Sequence, residues 1–200
     1  MPTSTVALLP MAITTNIVMG KIVYFSGIPL QLDSIGTVLV AVLAGPAAGA
    51  ATGALANIIV GMTITPGALP YAVTAAAIGF TAGVFARYGW FRRTATALLA
   101  GVFIGVIAGT ISAPITAFVF GNASGSVGQS ALIATFQAYG HGMLKAASLQ
   151  GLVADPLDKA LTVALALAIL GGLPASFRHR FPFARQHGVF GRSSVAAKGV

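Results

Sequence analysis

The chain has 200 residues, 56% of them hydrophobic and only 7% charged, with a mean hydropathy of +0.92. A soluble domain carries about 25% charged residues, so this composition excludes an ordinary soluble protein and predicts an integral membrane protein built as one helical bundle. Cysteine is absent, which excludes disulfides, thiolate metal sites and thiol catalysis.

The expected fold is all-α: a polytopic membrane bundle of six transmembrane helices plus a helix on the outer face, since each span needs ~20 residues and fewer when shielded by its neighbours. Thr5 to Tyr24 forms the first span, with Lys21 snorkelling at its outer end. It carries no basic leader and no small-x-small cleavage site, so it reads as a span and not as a signal peptide. Residues 25–32 form an outer loop, and a short buried second span runs from Asp33 to Ala44, where Gly45-Pro46 ends it. The third span, Ala47 to Met62, places Gly49, Gly53, Asn57 and Gly61 at successive i+4 positions, a small-residue face on which another helix packs closely, either in this bundle or in a partner protein. Residues 63–70 (TITPGALP) form an outer turn.

Tyr71 to Ala86 is the fourth span and leads into the inner segment RYGWFRR. The long fifth span, Thr94 to Phe120, has Gly101, Gly105 and Gly109 at i+4 spacing, and a kink is expected near Pro114. After the outer loop 121–128, residues 129–150 read as one polar helix at the outer face, with Gln137, His141 and Lys145 aligned at i, i+4 and i+8. The sixth span then starts at Asp155-Pro156-Leu157-Asp158 and reaches about Leu173, with Asp155, Pro156 and Asp158 suited to the N-cap, N1 and N3 positions.

The formal charge of +8 is a topology signal and not a mark of nucleic-acid binding. Arg87, Arg92, Arg93, Arg178, Arg180, Arg185, Arg192 and Lys198 hold the whole excess in two segments, while the other three lysines balance the three aspartates. Six spans place both segments on one side, so the positive-inside rule predicts a multi-pass plasma-membrane protein with N- and C-termini in the cytoplasm. Residues 1–177 then form the transmembrane substrate-binding domain. Residues 178–200 form a basic tail suited to anionic membrane lipids.

No GxxxxGK[ST] segment, no HExxH and no carboxylate pair within a span occur, so ATP hydrolysis by this chain, metal hydrolysis and a carboxylate proton relay lack their residues. No cofactor is expected. Ser124 in Asn-Ala-Ser-Gly has a distant similarity to the serine of rhomboid proteases, with His141 as its base, but Asn122 stands where a glycine is needed. The polar side chains gather instead toward the outer side, as in a binding subunit. Gln137, His141 and Lys145 are the first candidates for the ligand site, with Tyr71, Asp33 and Asp158 next. A lysine and a histidine beside amides suit a ligand with a carboxylate or phosphate, and the glycines flanking His141 suggest a bend where a ligand approaches the backbone.

The arrangement of six spans, with LDSIGTVLVAVLAGPAAGAATGALANII in the second and third, a polar helix before the last and DPLDKALTVALALAIL entering it, resembles the substrate-binding S-component of an energy-coupling factor (ECF) transporter over residues 5–173. The resemblance implies capture of a vitamin or similar micronutrient from outside, and release driven by a coupling protein with two ATPase subunits. It also implies a docking face on the first three spans, carried here by Ala12, Asn16 and Gly20 and shared with Gly49, Gly53 and Gly61. The Met-Pro-Thr-Ser-Thr start lacks the histidine of nickel and cobalt members, which implies a non-metal substrate. The alternatives are a free-standing secondary permease, the rhomboid-type enzyme and a structural membrane partner.

Overall fold

The computed structural model describes residues 3–121, 127–178 and 180–189, and every regular element among them is helical. Nine α-helices follow in order: α1 (Thr3–Ser26), α2 (Ile35–Ala44), α3 (Pro46–Thr63), α4 (Ala72–Arg87), α5 (Thr94–Val119), α6 (Val127–Ala138), α7 (Met143–Gly172), α8 (Ala175–Arg178) and α9 (Pro182–Gln186). Short 3-10 turns at 66–68 and 90–92 complete the set.

Six helices, α1 to α5 and α7, make the bundle, and they alternate in direction. The start of α1 lies beside Arg180, where Ser4 Oγ donates to the Arg180 carbonyl. The α2–α3 turn meets Phe183, and Arg92 in the α4–α5 turn donates to the carbonyls of His187 and Gly188. These contacts put Arg87, Arg92, Arg93, Arg178, Arg180 and Arg185 at one end of the bundle. The Gly45-Pro46 break falls where expected, with Gly45 at φ 95°, a left-handed conformation that favours glycine, and Pro46 opening α3.

Three helices, α1, α3 and α5, are long and apolar enough to cross a membrane. Leu99, Phe103 and Phe118 of α5, like Val6, Met11 and Ile22 of α1, stand exposed on the outside of the bundle, as lipid-facing residues do. The ten residues of α2 reach only ~15 Å at 1.5 Å per residue, half the hydrocarbon thickness of ~30 Å, and eight of them are buried inside the bundle. Length alone therefore does not carry a count of six spans.

Close approach of small residues fixes the helix pairs. A Cβ on Gly53 would lie 2.2 Å from the Ala75 carbonyl oxygen of α4, and one on Gly105 would lie 2.4 Å from the Asp155 carbonyl oxygen of α7. Backbones can approach this closely only where side chains are absent. The face formed by Gly49, Gly53 and Gly61 is thus occupied within this chain, by α2, α4 and Leu69.

Two expectations need correction. Residues 129–150 are not one helix: α6 stops at Ala138, Gly140 adopts φ 83°, and the Gly140 and His141 amides donate to the Gln137 and Phe136 carbonyls, a Schellman closure that lets α7 start afresh at Met143. The glycine at 140 therefore serves as a helix stop. Next, Asp155, Pro156 and Asp158 do not open a helix but sit in the middle of the 30-residue α7, where neighbouring helices make an internal proline tolerable. Beyond these two, part of the basic segment is packed, with Phe181, Ala184 and Val189 buried against the bundle end. Residues 190–200, like Asn122 and Ser124 of the 121–128 loop, lie outside the described residues.

Candidate functional site

The site is built on a ring of buried polar contacts that joins α1, α2 and α7. Asn16, 2% exposed on α1, reaches across to α2, where its Oδ1 accepts the Gly36 amide at 2.7 Å and the Thr37 amide at 3.3 Å. Its Nδ2 donates to Thr37 Oγ1 at 2.8 Å. The first amides of a helix have no partner within it, and here a residue from another helix caps them. Ser34, at the N-cap position of α2, is left for another task. Its hydroxyl donates to Asp33 Oδ1 at 3.0 Å and accepts from Lys159 Nζ at 2.8 Å.

Lys159, 3% exposed, also pairs with Asp158 Oδ2 and lies 3.5 Å from Asp33 Oδ1. The other Asp158 oxygen accepts the Gln31 and Leu32 amides at 2.8 and 2.9 Å. Asp158 thus holds the 27–34 loop onto α7, including Leu32, whose φ of 48° is rare for a side chain with a branched tip. Buried charges are tolerated only when paired and hydrogen-bonded, and Asp158 and Lys159 meet that condition with each other.

Above this ring lies a cavity of about 440 Å³, within the usual size range for small-molecule pockets. It is enclosed by α1 to α5 and α7, with residues of the 65–71 turn and Gln129 of α6 at its rim. Lys21, Asp33, Asn57, Asp155 and Lys159 bring polar and charged groups to it, and Ala56, Val60, Ile78 and Ala108 bring apolar ones. Tyr71 and Phe120 stack 5.6 Å apart along one side, with the Tyr71 hydroxyl 2.8 Å from Thr116 Oγ1. At the rim the Gln31 Nε2 donates to Gln129 Oε1 at 2.9 Å. Two lining residues, Gln150 and Thr74, are 5% and 7% exposed, and their Nε2 and Oγ1 atoms have no hydrogen-bond partner among the described residues. A buried polar atom left unpaired costs ~1–3 kcal/mol, so these two atoms mark where a guest with hydrogen-bonding groups would gain most.

Of the six ligand candidates, the structure brings Asp33 and Tyr71 to the cavity wall and holds Asp158 one contact behind it, on Lys159. It does not bring Gln137, His141 or Lys145 there. Those three no longer share a helix face, because α6 ends before His141 and Lys145 sits exposed in the first turn of α7. The docking candidates of α1 face inward: Ala12 packs on Gly36, Asn16 caps α2, and a Cβ on Gly20 would lie 3.1 Å from that of Asp33.

Sequence reasoning does not reach Thr74 and Gln129, reads Asp155 first as a helix cap, and counts Gln150 only among the polar residues of the outer side. A signal for the α7 residues was present. Ala146, Ala147, Gln150, Gly151, Ala154, Asp155, Asp158, Lys159, Thr162, Val163 and Ala166 form one buried stripe at helical spacing, which runs unbroken through Pro156. No family model matches the chain, nor does any curated protein or solved structure.

Proposed function

We propose that the chain is a membrane-embedded substrate-capture subunit that takes a small polar molecule from outside the cell and performs no chemistry itself. The observation that carries this reading is the cavity of about 440 Å³, which pairs a polar wall with two unpartnered buried atoms and has in its lining residues of the 65–71 turn, at the end opposite the arginines.

In this proposal α1 to α5 and α7 cross the membrane, α2 as a short helix screened by the others, so that the protein is multi-pass. The arginine end lies in the cytoplasm with both termini, as the positive-inside rule asks. Similarity in arrangement to ECF S-components supplies the finer reading: vitamin-type uptake, with a coupling protein and two ATPases as partners. The face available to such partners is the exposed side of α1, since Ala12, Asn16 and Gly20 are turned inward.

The test is binding and uptake measured together. The purified chain should bind one member of a vitamin panel, and cells should accumulate that compound only when a coupling protein and an ATPase pair are present. Equal accumulation by the chain alone would convert the reading to a free-standing permease.

A further inference from the structure

The cavity can be read for the charge of its guest. The chain has three acidic residues, and two of them are satisfied within the protein. Asp158 divides its oxygens between Lys159 and the Gln31 and Leu32 amides, and Asp33 shares Lys159 and the Ser34 hydroxyl. Asp155 differs. It is 8% exposed, lines the cavity, and has no basic group of the described residues within 4 Å of its carboxylate. Its one hydrogen-bonding side chain among the described residues is the neutral Ser112 hydroxyl, which also reaches the Gly109 carbonyl at 3.3 Å.

Five charged groups bear on this space. Lys159, one turn beyond Asp155, is held by Asp33 and Asp158, while Lys21 stands 5.6 Å from the Tyr24 ring and forms no ion pair with the three acids. Three carboxylates therefore face two ammonium groups. A buried carboxylate is costly unless a positive charge pairs with it, and Lys159, whose charge acts on Asp155 from beyond 4 Å, is already ion-paired with Asp33 and Asp158.

We propose that the captured molecule is a small organic cation whose positive nitrogen sits on the Asp155 carboxylate and whose acceptor atom takes the free Gln150 Nε2 proton. This rests on the capture reading and gives it a substrate class. The Tyr71 and Phe120 rings in the same wall favour a cation over an anion, because an aromatic face attracts positive charge. The assignment is opposite in sign to the acidic ligand that His141 and Lys145 suggest from sequence.

Benzamidinium, benzamide and benzoate share one ring and one size but differ in the charge of the group they present, which makes them suitable probes. Titrated into the purified full-length protein and read by calorimetry and by the shift in unfolding temperature, benzamidinium should bind best, by roughly tenfold or more over benzamide, the worth of one charge-assisted hydrogen bond. Asp155→Asn should remove that preference, whereas Gln150→Leu should weaken benzamidinium and benzamide alike. Since Asp155→Asn could fail to fold, the ranking on the parent protein stands as an independent readout. Benzoate or benzamide binding as tightly as benzamidinium would overturn the proposal, as would an unchanged preference in folded Asp155→Asn. A wider panel of cationic, neutral and anionic compounds separates the two readings: a neutral or anionic best binder removes the cation and leaves capture intact, and no binder at all removes both.

Discussion

At one end of the bundle Lys21, Gln31, Tyr71 and Gln129 surround a cavity whose wall contains unpaired polar atoms, whereas at the other Leu43, Phe91, Phe181 and Val189 are each at most 5% exposed and join one apolar core. The same helices build both ends. What differs is the side chain each turn presents: α7 gives Gln150, Asp155 and Lys159 to the first and Val163, Ala166 and Leu170 to the second. A bundle so divided is a cup with a sealed floor, and the charged ring of Asp33, Asp158 and Lys159 lies where wall meets floor.

The comparison breaks most easily at that ring. Asp158→Ala would leave buried Lys159 only the longer contact to Asp33 and the Ser34 hydroxyl, and would release two backbone amides; removing one partner of a buried pair costs ~3–5 kcal/mol. Denaturant or thermal unfolding in micelles should show that loss, and the double variant Asp158→Asn with Lys159→Gln should lose less than Asp158→Ala alone. Equal loss in both would mean that the pair contributes packing and not charge balance.

A smaller effect tests the wall. Gly53→Leu must push its side chain into the Ala75 carbonyl, and overpacking typically costs ~1–3 kcal/mol. Gly171→Leu, where a Cβ meets nothing within 4 Å, should leave stability unchanged. The smallest effect is expected outside the cup: Lys145→Ala, at an exposed site, should change stability by less than ~0.5 kcal/mol and leave ligand affinity as in the parent. A tenfold loss of affinity there would relocate the site to the α6–α7 junction.

Much of the fold was legible because the signals were local. The Gly45-Pro46 break, the apolar run of α5 and the small-residue spacing of Gly49 and Gly53 each declare themselves within a few residues. The site was less legible. Pro156 reads as a helix start by local rules, and that reading divided the buried stripe of α7 and turned Asp155 and Asp158 into caps. Asn16 capping α2, and Asp158 holding the loop at Gln31, are contacts between residues 20 and 127 positions apart, which no periodicity reports. His141 attracted attention through its flanking glycines, yet Gly140 is required by the turn that ends α6.

The central claim, a cavity reached from outside and closed toward the cytoplasm, is tested most directly by single cysteines in this cysteine-free chain. Asn57→Cys on the cavity wall and Tyr88→Cys beside the arginines would each be exposed to a small membrane-impermeant thiol reagent on intact cells. The account predicts modification of position 57 from outside, slowed by bound ligand, and modification of position 88 only after the membrane is permeabilised. Labelling of position 88 on intact cells, or equal access to position 57 from both faces, would contradict it.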